Sequence, residues 1–114
     1  MLISTEVLNE RIENGCKWLD NQFPNIFWPN FIRFDTFDIE VPCDCVLGHC
    51  FENYYTMNKL DEIEKENCGF SVKLSDISLF GKAWNDIWDE LDYLWKVKII
   101  SLRRKHYEEM KKLI

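Results

Sequence analysis

No apolar run in the sequence approaches the ~20 residues that a membrane-spanning helix needs. The first residues, Met1 to Glu6, lack the basic stretch followed by an apolar one that marks a secretory signal. A cytoplasmic location with reduced thiols is therefore expected. Cations are in deficit, 14 Lys and Arg against 20 Asp and Glu for a net charge of −6. Generic phosphate-backbone binding needs a basic face, so direct binding of nucleic acid is not expected. Three Pro and four Gly are too few for a linker-rich or low-complexity chain. Five Cys is an odd number, which argues against a paired disulfide framework. A Gly-rich phosphate loop, an H-E-x-x-H helix, a G-x-S-x-G elbow and a dinucleotide fingerprint are all missing, and the expectation is a protein that is not an enzyme.

What is present is apolar periodicity and an excess of aromatic residues. Five Trp, eight Phe and four Tyr in 114 residues can build the core of one domain, residues 1–114. The expected fold is mainly α, a small helical domain with a long C-terminal helix. Leu8, Ile12, Cys16, Leu19 and Phe23 recur at helical spacing, which predicts a first helix capped by Ser4 or Thr5 and running to about Gln22. Pro24, Pro29 and Pro42 forbid one long helix through the aromatic segment 24–42. That segment reads as irregular, with a 3₁₀ turn or a short strand pair near Ile32-Arg33-Phe34-Asp35. A second helix is expected from Asp44 or Cys45 to about Met57, and a short solvated one over 60–67, stopped by Gly69. The last helix, capped by Ser75 or Ser78, carries Trp84, Ile87, Trp88, Leu91, Leu94, Trp95, Ile99 and Leu102 on one stripe. Its acids come first and its cations last, as the helix dipole prefers. Asp92 and Lys96 form an i,i+4 pair, and the stretch 103–114 should protrude past the core with His106 solvated.

Cysteines cluster around Cys43-Asp44-Cys45. A C-x-C step can set two sulfurs on one ion where the backbone turns into a helix, and the helix start favours thiolate. Cys45 and His49, four residues apart, project from one helix face. Cys50 lies about 140° round the axis from Cys45, on the core side. Cys43, Cys45, His49 and Cys68 are therefore the preferred ligands of a structural zinc site, with Cys50 in place of His49 as the alternative. A nucleophilic arrangement of Cys45 with His49 and Asp38, as in a small thiol- or metal-dependent hydrolase, is the competing chemistry.

Carboxylates form three groups. Asp35, Asp38 and Glu40 lie within six residues and read as turn caps, because a calcium loop would need further carboxylates and a Gly. Asp86, Asp89, Glu90 and Asp92, together with Asp61, Glu62, Glu64 and Glu66, can make an acidic surface. The first four are the candidate binding residues, suited to a basic protein groove of the kind that holds nucleic acid.

Several pieces of the chain together carry a resemblance. They are Gly15-Cys16-Lys17-Trp18-Leu19-Asp20, Phe34-Asp35-Thr36-Phe37-Asp38-Ile39, Cys43-Asp44-Cys45-Val46-Leu47-Gly48-His49, Cys68-Gly69-Phe70, and Trp84 with Trp88. Roughly residues 15–95 resemble a group of small proteins carried by phages and prophages of Gram-positive bacteria. Small acidic phage proteins of this kind include inhibitors of host defence nucleases, among them anti-CRISPR proteins that bind Cas9, and some bind zinc. The resemblance implies a stoichiometric inhibitor whose partner is a host CRISPR effector nuclease; a monomer or weak dimer is expected. A phage structural or interaction subunit is the remaining alternative.

Overall fold

The structure is a computed structural model that describes residues 2–42, 44–51 and 60–113. The first helix, α1, spans Ser4–Gln22 and buries Leu8, Ile12, Cys16 and Leu19, the stripe that the spacing predicts. Ile3 occupies the cap position and Ser4 already lies inside the helix, its hydroxyl accepting from Lys82 Nζ at 2.8 Å. The chain leaves α1 at Phe23 and makes one 3₁₀ turn, Trp28–Phe31, with Pro29 at its start. Proline is tolerated there because its missing N–H has no partner to lose. Among the described residues no strand forms. Ile32 is extended, but Thr36 N–H turns back to the Arg33 carbonyl.

Three short helices follow among the described residues. The first, α2, covers Val46–Cys50, α3 covers Glu62–Asn67 and α4 covers Asp76–Phe80. The expected long second helix ends at Cys50, because Phe51 is extended at φ −119° and ψ 135°; the remainder of that expectation lies outside the described residues. Asp61 caps α3 by accepting from Glu64 N–H at 2.8 Å. Gly69 stops it at φ 74°, a left-handed conformation that favours glycine. The last helix does not begin at Ser75 or Ser78. Gly81, at φ 63°, closes α4, and α5 starts afresh at Trp84 and runs to Lys111. Its 28 residues span about 42 Å at 1.5 Å each, which sets the 50 Å long axis of the molecule. No helix of the described residues is long and apolar enough to cross a membrane.

The core sits between α1 and α5. Ile87, Leu91, Leu94, Trp95 and Ile99 of α5 meet the α1 stripe, and Trp28, Ile32, Phe37, Ile39, Val46, Leu47, Phe70, Val72 and Phe80 close the sides. Gly15 lets the backbone at Cys68 and the ring of Trp95 approach α1; a methyl there would overlap the Cys68 carbonyl. The far end of α5 is less free than the sequence suggests. Arg103 donates from Nε (3.1 Å) and Nη2 (2.8 Å) to the Pro29 carbonyl, donates also to the Ile32 carbonyl, and lies 4.8 Å over the Phe34 ring. His106 is not solvated but stacks on Phe27, with centroids 4.0 Å apart and planes at 11°. Protrusion therefore begins beyond His106.

One ion pair among the described residues is buried. Arg11 donates to both oxygens of Asp76, at 2.7 and 2.9 Å, and Asp76 also accepts Lys73 N–H at 3.0 Å. Asp76 is 0% exposed and Arg11 8%. Removing one partner strands the other charge in the interior. Asp76→Ala should therefore cost about 3–5 kcal/mol, and the double replacement Arg11→Met with Asp76→Leu should cost clearly less than Asp76→Ala alone. Urea denaturation of the three variants measures this; a cost for Asp76→Ala within ~0.5 kcal/mol, the usual range for surface sites, would contradict the pairing.

Candidate functional site

The chain winds tightly into α2. Asp44 and Cys45 both donate their N–H to the Val41 carbonyl, at 2.9 and 2.8 Å, and Asp38 N–H donates to the Asp44 carbonyl at 3.0 Å. These bonds deliver Cys45 to the cap position. Its sulfur accepts Gly48 N–H at 3.4 Å while its thiol donates to the Pro42 carbonyl at 3.3 Å. His49, one turn on, places Nε2 3.1 Å from Thr36 Oγ1 and its ring 6.0 Å from Phe37. Its Nδ1 is buried without a hydrogen-bond partner among the described residues. Cys68 ends α3, packed by its backbone against Gly15.

Cys43 lies outside the described residues. Among the described residues no three His, Cys, Asp or Glu side chains form a group that could hold a metal ion. Cys45, His49 and Cys68, or Cys50 in place of His49, are thus not brought together as such a group. The environments explain their state. Burial pushes the Cys16 thiol up to about 12, and burial with the neighbouring Cys45 does the same to Cys50. Burial also raises Cys45, against the Gly48 hydrogen bond that lowers it, and raises Cys68. Burial and the Arg33 charge lower the His49 pKa, so its ring is neutral at pH 7. Cys45, His49 and Asp38 do not line up for nucleophilic chemistry. The thiol is bonded to Pro42, the ring to Thr36, and Asp38 caps Glu40 N–H at 3.0 Å, the turn role expected of it.

The four carboxylates at the start of α5 divide in two. Glu90 accepts from Thr5 at 2.9 Å and from Lys82 at 3.2 and 3.3 Å. Burial pushes its carboxyl up, but hydrogen bonds from Ser4, Thr5 and Lys82 and the Lys82 charge outweigh this and hold it below its ordinary value. Asp92 accepts Ile39 N–H at 3.0 Å and pairs with Lys96 at 2.7 Å, the expected i,i+4 bridge. Glu90 and Asp92 are therefore occupied in holding the fold, whereas Asp86 and Asp89 stand exposed.

The Asp92 tether brings a second acidic segment alongside. Glu40 is exposed, yet its pKa is raised by partial burial and by Asp38, Asp89 and Asp92 around it. Glu40 and Trp88 line one shallow depression with Pro42 and Phe70. Trp84 packs edge-on against Trp88 at 6.0 Å and 78° and stays 37% exposed. The surface thus joins Asp38, Glu40 and Asp89 to two indoles. Periodicity assigns Trp84 and Trp88 to the core stripe; in the structure Trp88 is partly buried against the core and Trp84 is exposed at its rim.

The raised thiols carry a direct expectation. With a neutral alkylating reagent at pH 7.5, Cys16 and Cys50 should react at least about a hundredfold more slowly in the folded protein than in urea, and Cys45 more slowly too, since only thiolate attacks. Peptide mapping by mass spectrometry reads this residue by residue, and a fast-reacting Cys45 would restore the hydrolase alternative. Comparison with protein-family models, with curated proteins and with solved structures finds no match.

Proposed function

We propose that the chain is a non-enzymatic binding protein that blocks a host defence nuclease, a CRISPR effector of the Cas9 kind, by occupying a basic groove. The observation that carries the proposal is the gathering of Asp38, Glu40 and Asp89 beside Trp84 and Trp88. Glu40 stands among like charges, an arrangement that a cationic partner relieves. Exposed indole beside the acids supplies the apolar anchor that charge alone lacks. The choice of a CRISPR effector comes from the resemblance to phage proteins, and the choice of a basic groove comes from the surface.

Pull-down against a panel of purified Cas9 effectors, followed by DNA cleavage with excess chain, tests the proposal. Binding and loss of cleavage are expected. The double reversal Glu40→Lys with Asp89→Lys, at exposed positions, should weaken binding by about tenfold or more, with a steep dependence on salt. Full cleavage and no capture across the panel would overturn the effector assignment.

Zinc enters the reading through Cys43, Cys45, His49 and Cys68. The donor that favours it is His49 Nδ1, buried and without a partner among the described residues. Metal content of chain purified without chelator or tag metal decides it. About one zinc per chain, lost in Cys45→Ser together with thermal stability, is the expected result for a structural site. Metal-free chain of unchanged stability would return these residues to packing and capping.

A further inference from the structure

A strip of α5 on the side away from the core repeats with its own period, although its Glu90 is half-buried and held by Thr5 and Lys82. Asp86, Glu90, Tyr93, Val97, Ile100, Arg104, Tyr107 and Lys111 follow one another at alternating steps of four and three. That is the heptad spacing of a helix seam, here on the side opposite the buried stripe Ile87, Leu91, Leu94, Ile99. Tyr93 is 64% exposed, Val97 45%, Ile100 47% and Tyr107 62%. Single exposed apolar residues are ordinary, but four in register along one strip form a face without a partner among the described residues.

The occupant follows from the order of charges along the strip. It runs from acid at Asp86 through apolar residues to Arg104 and Lys111. Laid antiparallel against a second copy about a centre between Val97 and Ile100, the strip complements itself. Asp86 meets Lys111 of the other copy, Tyr93 meets Arg104, and Val97 meets Ile100. A parallel pairing would set Asp86 on Asp86 and Lys111 on Lys111. We propose that α5 pairs antiparallel with α5 of a second copy of this chain, forming a two-fold symmetric dimer. A strip about 38 Å long and about 10 Å wide buries roughly 400 Å² per copy, which belongs to the weak class of interfaces. Association should therefore depend on concentration and on salt. The inference is independent of the proposed target.

Sedimentation equilibrium of the full chain, from low micromolar to near-millimolar concentration, tests it. A monomer–dimer equilibrium is expected, weakened about tenfold or more by Val97→Glu with an unchanged unfolding midpoint, because the site is exposed. Asp86→Lys and Lys111→Asp should each weaken self-association, because each sets like charges together across the antiparallel seam. In a parallel pair either reversal would only exchange one like-charged contact for another and leave the association unchanged. Combining both reversals in one chain restores the opposite pairs of the antiparallel order and should recover the dimer. A monomer at every concentration, or a dimer indifferent to Val97→Glu, would overturn the proposal. A dimer unmoved by the single reversals, or not recovered by the double one, would overturn its antiparallel order.

Discussion

Full burial of the Trp95 indole is the constraint around which the rest is arranged. An indole in the interior needs its N–H satisfied and its faces covered. Nε1 donates to the Gly69 carbonyl at 2.6 Å, and Phe70 stacks on the ring at 5.5 Å and 9°. Both partners come from the turn that ends α3, so that turn must reach the middle of α5. It does so because Gly69 adopts a positive φ against Ile12 and because Gly15 leaves room for Cys68. One side chain thereby fixes the mutual positions of α1, α3 and α5.

Electrostatics divides the same surface into groups that hold the fold and groups that remain open. Lys82 joins Ser4 at the start of α1 to Glu90 on α5, Lys98 joins Glu13, and Arg11 grips Asp76 below them. Asp92 serves the backbone of Ile39 and the side chain of Lys96 together. A net charge of −6 accordingly overstates the uncommitted acid and says little about where it lies. Asp86 and Asp89 are left over after those pairings, and Glu40 joins them only because Asp92 holds the preceding loop in place.

Much of the scaffold is legible in the sequence because it depends on neighbours along the helix. The α1 stripe, the core stripe of α5, the Asp92–Lys96 pair, the stop at Gly69 and the irregular proline segment follow from spacing or from a single residue's conformational preference. The Arg11–Asp76 pair joins residues 65 apart, and no local pattern announces it. The separate helix α4 escapes a reading by pattern because Gly81 sits inside a run that otherwise reads as helical. His106 reads as solvated because its basic neighbours are, whereas its partner Phe27 comes from a segment whose path only packing decides. The acidic set is half legible for the same reason. Position on the helix identifies Asp86 and Asp89 as outward, but the partners that claim Glu90 and Asp92 arrive from α1 and from residue 39.

The pairing of the first helix with the last has a further consequence, for the order in which the protein can be made. The stripe of α1 finds its cover in Leu91, Leu94, Trp95 and Ile99. The proline-rich segment finds its donor in Arg103. During synthesis neither partner exists until the ribosome has passed α5. The emerging chain must therefore carry the apolar stripe of α1 without its cover until α5 has been made, and this part of the core can close only after that.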